Sequence, residues 1–394
     1  MKTRTYKVIP RRLLFSAVLV LLSQLTACST YDAVRVVTSR DPGKAIEQTA
    51  KNRVQSYKNN PLVLAKDVRQ LINTLKGRVD REWGVKNRQL PSPHRFVKYS
   101  QNYKSRAIID FDSGNIRIET VADKRPLQSL HNAIVTTLLT PDDPRSVDLY
   151  TDHVVELKGR PYLAGFVRNQ HGTYISNPEH ASHYADYLIK YKLKKRSLTV
   201  GKKKQLSRSV SFRMVNNHED IRARQYAGLV NRYSSRYRLN KSLVYAIIKT
   251  ESNFNPYAIS AAPAYGLMQL VPTSGGRDAF RYVKGRDQIP SRQYLFDAQN
   301  NIELGSGYLN IIHTRYLKNI QNPLSREYCV IAAYNTGSGN VLNAFHSDRE
   351  RATRIINRMS PSQVYKHLRT KLKYHEARRY LLKVTEAQRH FVRL

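Results

Sequence analysis

The chain has 394 residues, which leaves room for two or three domains. Hydrophobic residues make up 41% of it and charged residues 24%, a balance that supports hydrophobic cores and argues against wholesale disorder. Lys and Arg outnumber Asp and Glu by 67 to 29, so the formal net charge of +38 favours a polyanionic partner: nucleic acid, an anionic membrane surface or an acidic polymer.

The first 27 residues have the pattern of an export signal. Five basic residues and no acid precede an apolar stretch over residues 13–22, which is too short to span a membrane. The stretch is followed by Leu25-Thr26-Ala27-Cys28, which resembles a bacterial lipobox, in which the cysteine sulfur receives a diacylglycerol. The sequence therefore predicts a signal peptide over residues 1–27 and lipidation of Cys28. The alternative is an ordinary secretory signal in which the cysteine falls at this place by chance.

Export changes the expected partners. Ser29, rather than Asp, follows the cysteine, and by resemblance to lipoprotein sorting signals this predicts an outer-membrane lipoprotein that faces the periplasm of a Gram-negative envelope. Removing residues 1–27 takes five basic residues from the formal +38 and leaves about +33. An exported protein does not meet the chromosome, so nucleic acid is excluded as a partner. Phospholipid headgroups and the peptide carboxylates of peptidoglycan remain.

The next two segments are predicted from periodicity and turn residues. Residues 28–93 read as a lipid-anchored tether with helical patches, because apolar residues between positions 62 and 75 recur at helical spacing. Residues 94–215 read as a small α+β accessory domain. In it we expect a hairpin with strands at 107–111 and 116–121, an amphipathic helix over 127–138 and another strand at 162–167.

The last segment, residues 216–394, is predicted to be almost entirely helical. Asn240 is a suitable N-cap for a helix from Lys241 to about Ser252. On that helix Glu251 falls on the apolar face, and both burial and the negative end of the helix dipole would raise its pKa. A raised pKa is what a general acid needs near neutral pH. Taken alone, a structural glutamate with a buried partner would give the same pattern.

Four short blocks in this segment carry a resemblance. They are Glu251-Ser252-Asn253-Phe254-Asn255-Pro256, then Tyr265-Gly266-Leu267-Met268-Gln269, then Ala333-Tyr334-Asn335-Thr336-Gly337, and finally Arg379-Tyr380-Leu381-Leu382-Lys383-Val384. In this order they resemble the catalytic domain of the family 1 lytic transglycosylases. Segments at 97–99, 142–150 and 295–302 are similar to a membrane-bound member of that family. The resemblance covers about residues 94–394 and implies an α+β protein, in which a small N-terminal α+β domain precedes a mainly α-helical, lysozyme-like catalytic domain.

The resemblance also implies roles for individual residues. Glu251 would be the catalytic acid and base, and Gly266 would let the backbone approach a sugar closely. Substrate-binding roles fall on Ser260, Gly266, Met268, Gln269, Tyr334, Asn335 and Tyr380. Without the resemblance, Met268 and Tyr334 would be interpreted as core residues. No metal site and no cofactor are expected.

The implied reaction cleaves the bond between MurNAc and GlcNAc in peptidoglycan glycan strands and leaves a 1,6-anhydro-MurNAc end. A one-carboxylate site suits such a lyase, whereas conventional glycosidases use two carboxylates. The acids that follow Glu251 lie outside the four blocks, and Asp297 is predicted to cap a helix instead. Two alternatives stay open: a hydrolytic muramidase on the same fold, and a basic, Tyr-rich polymer-binding protein without catalysis. Protein partners are not determined by the sequence.

Overall fold

The structure, a computed structural model of the chain, describes residues 61–392, so the predicted signal peptide and Cys28 lie outside the described residues. The chain divides into two compact units, one ending at Thr74 and one beginning at Leu75. Among the described residues the first unit contains the beginning of helix α1 (Pro61–Trp83). The sheet and the helices that come after α1 belong to the second unit. Between residues 61 and 392, no helix combines the length and the apolar character that crossing a bilayer requires.

The first half of this unit is built on a five-stranded antiparallel sheet. In chain order its strands are β1 (Arg95–Ser100), β2 (Ser105–Asp110), β3 (Asn115–Thr120), β4 (Lys194–Val200) and β5 (Lys203–Arg213), and their spatial order is β1-β2-β3-β5-β4. On one face Ile109 lies opposite Phe96 and Ile116, and all three are buried. Helices α2 (Pro126–Leu138) and α3 (Pro178–Lys192) pack on the sheet, so this layer forms the domain's core.

Most of the predicted elements of this half are confirmed. The expected hairpin is β2 and β3, and the expected amphipathic helix is α2, whose apolar face is buried. The strand predicted at 162–167 is wrong, because that segment folds into consecutive turns in which the Phe166 amide donates to the Leu163 carbonyl. Its apolar residues are buried all the same, with the rings of Tyr162 and Phe166 stacked 5.6 Å apart. Gly165, with φ at +86°, permits the turn.

The second half is helical. Its helices are α4 (His218–Gln225), α5 (Ala227–Arg236), α6 (Lys241–Ser252), α7 (Gly275–Lys284), α8 (Arg292–Phe296), α9 (Ala298–Ile311), α10 (Pro323–Thr336), α11 (Ser338–Asn343), α12 (Arg349–Arg358), α13 (Pro361–Lys371) and α14 (His375–Phe391). Helix α6 is the most buried of those described, and it packs against α5 and α14. A buried α6 is what fixes the position of any side chain at its end.

Helix ends in this half follow the predicted capping. The Asn240 side chain accepts a hydrogen bond from the Ser242 amide at 3.0 Å, and α6 begins at Lys241, as expected. Asp297 caps α9 by accepting from the Asn300 amide at 2.9 Å. The α+β architecture predicted from the sequence, with a small sheet domain followed by a helical domain, is therefore confirmed.

Candidate active site

Glu251 lies in the last turn of α6, immediately before an abrupt change of chain direction. Asn253 and Phe254 follow with φ of +47° and +58°, in the left-handed region where residues other than glycine are strained by about 1–2 kcal/mol each. The fully buried Phe254 ring, which packs against Tyr245 and Phe391, holds this conformation. The strained turn ends α6, so Glu251 is the penultimate residue of the helix.

The Glu251 carboxyl group has one neutral hydrogen-bond donor. The Tyr380 hydroxyl on α14 donates to Glu251 Oε1 at 2.7 Å. In the part of the chain that the structure describes, no Lys, Arg or His forms an ion pair with Glu251. Burial raises the pKa of Glu251 to about 7, and the Tyr380 hydrogen bond and the charge of His94 limit the rise. The raised pKa predicted from the apolar helix face is confirmed, and a proton is available on this group close to neutral pH.

Glu251 opens into a cavity of about 480 Å³. Three of the residues singled out in the sequence line it: Glu251, Asn335 and Tyr380. The remaining wall comes from Thr250 on α6, from α14 and from residues 92–94 of the sheet domain, so two domains enclose one space. A groove with polar walls and a carboxyl group whose pKa lies near neutral pH is suited to proton transfer to and from a polar substrate.

The loop at residues 265–268 beside Glu251 is tied to its surroundings at every carbonyl. The Ser252 hydroxyl donates to the Leu267 carbonyl at 2.8 Å, and the Tyr334 hydroxyl donates to the Met268 carbonyl at 2.8 Å. The Tyr265 carbonyl accepts from the Asn301 side chain at 2.9 Å, and the Gly266 carbonyl accepts from the Gln269 side chain at 2.9 Å. Because each bond comes from a different element or side chain, the loop is rigid with respect to α6.

Gly266 has a packing reason for being glycine. Its φ is +77°, and a Cβ atom built there would lie 2.4 Å from both Asn301 Nδ2 and the Leu295 carbonyl oxygen. The sequence interpretation gave it a different reason, a close approach of the backbone to a sugar. In the structure the space beside Gly266 is filled by protein, which makes any side chain at this position a steric clash.

Other residues singled out in the sequence contribute to this loop without lining the cavity. The Met268 side chain is fully buried in the hydrophobic core, and Tyr334 packs partly against the same core. The Ser260 hydroxyl accepts from the Ala264 amide at 3.3 Å, which closes the neighbouring turn. Gln269 Nε2 donates to the Ala258 carbonyl at 3.1 Å. The structure thus places Ser260, Met268, Gln269 and Tyr334 in the loop or in contact with it and its neighbouring turn, and none of the four lines the Glu251 cavity.

Two residues at the site were missed from the sequence. Asn301, fully buried on α9, accepts from the Met268 amide at 2.8 Å and donates to the Tyr265 carbonyl of the loop and to the Leu295 carbonyl of α8. His94 lines the cavity from the sheet domain. Asn301 was named from the sequence only as part of a resembling segment. No local signal pointed to His94, since its contact with the Thr250 carbonyl exists only when the two domains pack together.

A second cavity, of about 490 Å³, lies between the sheet domain and the helical domain away from Glu251. Among its charged groups, Arg145 pairs with Asp143 at 2.9 Å and with Asp297 at 3.5 Å. None of the residues predicted from the sequence to be catalytic or substrate-binding lines it. Within residues 61–392 no group of three His, Cys, Asp or Glu side chains is arranged to hold a metal ion. The Glu251 cavity is therefore the candidate active site.

Comparison with family models finds two matches along the chain. Residues 57–225 match the N-terminal domain of membrane-bound lytic murein transglycosylase C, and residues 228–357 match the transglycosylase SLT domain. Proteins named membrane-bound lytic murein transglycosylase C from Yersinia pestis and Yersinia pseudotuberculosis are each 44% identical over 316 residues, which is 80% of this chain and 87% of theirs.

Solved structures give a more distant likeness. An inactive mutant of lytic transglycosylase Slt from Pseudomonas aeruginosa and the 70 kDa soluble lytic transglycosylase from Escherichia coli are both 25% identical, with a TM-score of 0.33. The matches cover 41% and 42% of this chain but only 23% and 24% of those chains, about a quarter of their length. The two family models and the 44% identity over most of both lengths decide the matter: the chain belongs to the membrane-bound lytic murein transglycosylase C family, and it is a lytic transglycosylase, an enzyme of the lyase class.

Proposed function

We propose that this protein cleaves the β-1,4 bond between MurNAc and GlcNAc in peptidoglycan without water and leaves a 1,6-anhydro-MurNAc end. The observation that carries the proposal is the carboxyl group of Glu251, whose pKa lies near 7 and whose hydrogen-bond donor is the neutral Tyr380 hydroxyl. One group with that pKa can give up a proton and take one back at neutral pH.

The reaction uses Glu251 twice. Protonated Glu251 first gives its proton to the oxygen that joins the two sugars, the bond from C1 of MurNAc to that oxygen breaks, and the GlcNAc hydroxyl leaves. The positive charge that develops at C1 is stabilised by the carbonyl oxygen of the substrate's own N-acetyl group. Glu251, now a carboxylate, removes the proton from the C6 hydroxyl, and O6 bonds to C1. The ring closes, the proton is back on Glu251, and no water is consumed.

The substrate-binding role proposed for the surrounding residues follows from their positions. Asn335 and Tyr380 line the cavity and would contact the sugars directly. Ser260, Gly266, Met268, Gln269 and Tyr334 would act through the loop whose backbone they shape. A loop fixed at each carbonyl keeps the glycosidic oxygen within reach of Glu251, which is how positioning lowers a barrier.

Product analysis tests the reaction. Purified sacculi digested by the enzyme should release muropeptides whose MurNAc ends are non-reducing and one water lighter than hydrolysis products, as read by mass spectrometry. Reducing MurNAc as the main product would identify a hydrolytic muramidase instead. In that case Glu376, the other carboxylate in the cavity, is the candidate for the second carboxylate. A Glu376→Gln variant that still makes anhydro ends would support the one-carboxylate reaction.

The location of the enzyme is a second part of the proposal. Residues 1–27 would be removed as a signal peptide, and lipidated Cys28 would anchor the protein in the outer membrane, facing the periplasm. Residues 28–93 would be the tether, 94–215 the accessory domain and 216–394 the catalytic domain. The Cys28→Ala variant should fail to incorporate labelled palmitate and should leave the outer-membrane fraction. A variant that still labels and fractionates with that membrane would contradict the anchoring.

A further inference from the structure

The sheet domain makes polar contacts with the segment that follows Glu251. Asn253 Nδ2 donates at 2.9 Å to the Phe111 carbonyl and at 2.9 Å to the Asp112 carboxylate, both at the turn between β2 and β3. Asn255 Nδ2 donates at 2.8 Å to the Pro93 carbonyl. The strained turn that ends α6 is therefore held from outside the helical domain.

His94 extends these contacts to the helix itself. Its Nδ1 lies 2.8 Å from Asp112 Oδ1, and its Nε2 lies 3.0 Å from the Thr250 carbonyl oxygen. Both partners accept hydrogen bonds and neither donates one. A neutral imidazole has a single N–H, so both bonds together require the doubly protonated imidazolium.

The surroundings favour that charged form. Burial lowers the pKa of His94, but the hydrogen bond and charge of Asp112 and the Thr250 carbonyl outweigh burial, so the pKa is raised. For Asp112, burial acts to raise the pKa. The hydrogen bonds from His94 and Asn253 and the charge of His94 outweigh burial, so the pKa of Asp112 is lowered. Both shifts favour the charged forms, a protonated His94 and an ionised Asp112.

The position of this imidazolium matters for Glu251. Thr250 precedes Glu251 and its carbonyl belongs to the last turn of α6, where carbonyls lack helical partners and a cation is stabilising. His94 also lines the cavity into which Glu251 opens, and its positive charge lowers the pKa of Glu251. The His94 side chain thus contacts the end of α6 and also lowers the pKa of Glu251.

Other charged groups share the space around His94. Helix α6 contributes Lys249 and Glu251. Helix α14 contributes His375, Glu376, Arg379, Lys383, Glu386 and His390. Of these, Lys383 lowers the pKa of His94, and Lys249 is already paired with Glu219. Asp112 is the group that hydrogen-bonds the imidazole, and so it controls the His94 charge.

We propose that His94, supplied by the sheet domain and held as an imidazolium by Asp112, is a positioning residue of the active site that fixes the last turn of α6 and tunes the protonation of Glu251. The sheet domain thereby completes the active site, in addition to any role in recognition. This inference rests on the proposed function, since it assigns His94 a role in the reaction of Glu251.

The His94→Gln variant tests the role, because glutamine can still donate to the Thr250 carbonyl but carries no charge. Activity requires protonated Glu251 and is lost as the pH rises through its pKa of about 7. Without the imidazolium that pKa rises, so the alkaline limb of kcat/KM should move up by about 0.3–1 pH unit. We expect kcat to fall by about tenfold with a smaller change in KM. Asp112→Asn should shift the limb in the same direction, because it removes the counter-charge that keeps His94 protonated.

Two matched variants separate this role from a structural one. Asn255→Ala removes a hydrogen bond across the same domain contact without changing a charge, so it should lower the Tm and leave the alkaline limb in place. His131→Gln removes a histidine on α2 that pairs with Asp186 outside the cavity, so it should change neither the limb nor kcat. A His94→Gln enzyme whose limb coincides with that of the wild type would overturn the proposal.

A readout without substrate keeps the test independent of the reaction. In ¹⁵N spectra of the wild-type protein, both ring nitrogens of His94 should have imidazolium shifts at pH 7, and in Asp112→Asn they should show the neutral form. A neutral His94 ring in the wild type at pH 7 would overturn the inference even if anhydro products are formed. If sacculi yield only reducing ends, the proposed function fails while the ring spectra still decide the state of His94.

Discussion

Two glutamates of the second unit, one in each half, have opposite surroundings. Glu119 on β3 is fully buried and accepts from Arg106 Nε at 2.7 Å, while Arg117 pairs with its other oxygen. Arg106 is itself buried, with its guanidinium 3.7 Å from the centre of the Trp83 ring. The hydrogen-bond donor to Glu251 is a neutral tyrosine hydroxyl, whereas the partners of Glu119 are charged arginines.

The difference is instructive because the chain as a whole is so basic. With a formal charge of +38, most buried carboxylates could be expected to have a cationic neighbour. Buried Glu303 has two such neighbours, Arg236 and Lys284. Where cations surround a buried carboxylate, its charge is compensated and the group contributes to structure. Where cations are kept from direct contact, burial raises the pKa and the group can transfer a proton. The arrangement of the cations therefore distinguishes Glu119, a structural carboxylate, from Glu251, the proposed catalytic one.

The largest expected effect is on catalysis at Glu251. Glu251→Gln keeps the size of the side chain but cannot give or take a proton, so activity on sacculi should fall by about 10²–10⁴-fold while the fold is retained. Glu350→Gln is the matched control, since Glu350 is an exposed glutamate on α12, and its activity should match the wild type. A Glu251→Gln enzyme with more than a tenth of wild-type activity would contradict the assignment.

Glu119 should affect stability and not the chemistry. Glu119→Gln leaves buried Arg106 without its counter-charge, which should lower the free energy of unfolding by about 3–5 kcal/mol in denaturant titrations. Arg196→Ala removes an exposed partner 4.0 Å from the same carboxylate and should cost less than about 1 kcal/mol. Equal losses in the two variants would show that the buried pair is no different from a surface pair.

The raised pKa of Glu251 should also appear in stability as a function of pH. The folded protein keeps a proton on Glu251 up to about pH 7, whereas the unfolded chain releases it near the ordinary value of 4.5. The unfolded state therefore binds fewer protons in this window, and stability is lost as the pH rises from 4.5 through 7. Glu251→Gln should consequently be more stable than the wild type at pH 8, by about 1–3 kcal/mol. The gain should disappear near pH 4.5, and a difference independent of pH would contradict the burial of an uncompensated carboxyl group.

The smallest expected effect is at Tyr380. The hydroxyl of this residue stabilises the ionised form of Glu251, so Tyr380→Phe should raise the Glu251 pKa and move the alkaline limb of activity up by about 0.5–1 unit. Tyr365→Phe removes a partly buried hydroxyl 3.5 Å from Thr385 and serves as the control. If both variants leave the limb unchanged, the Tyr380 hydrogen bond does not set the protonation of Glu251.

The sequence predicted well what is local in the chain. Helix α6, its Asn240 cap and the apolar position of Glu251 follow from spacing and capping within about a dozen residues, and all are confirmed. The turn segment at 162–167 was misread because an apolar run is buried equally well in turns and in a strand. The buried Arg106–Glu119 pair could not be predicted either, since charges on alternate strand positions are typical of an exposed face.

What the sequence by itself determined is that a glutamate lies at the end of an apolar helix in a mainly helical domain, because helix periodicity and capping act between near neighbours. Only the tertiary structure decided the state of that glutamate. Tyr380 approaches it from α14 and His94 from another domain, while no Lys, Arg or His among residues 61–392 forms an ion pair with it. The pKa of a buried group depends on burial and on charges a few ångströms away, and those neighbours come from distant parts of the chain.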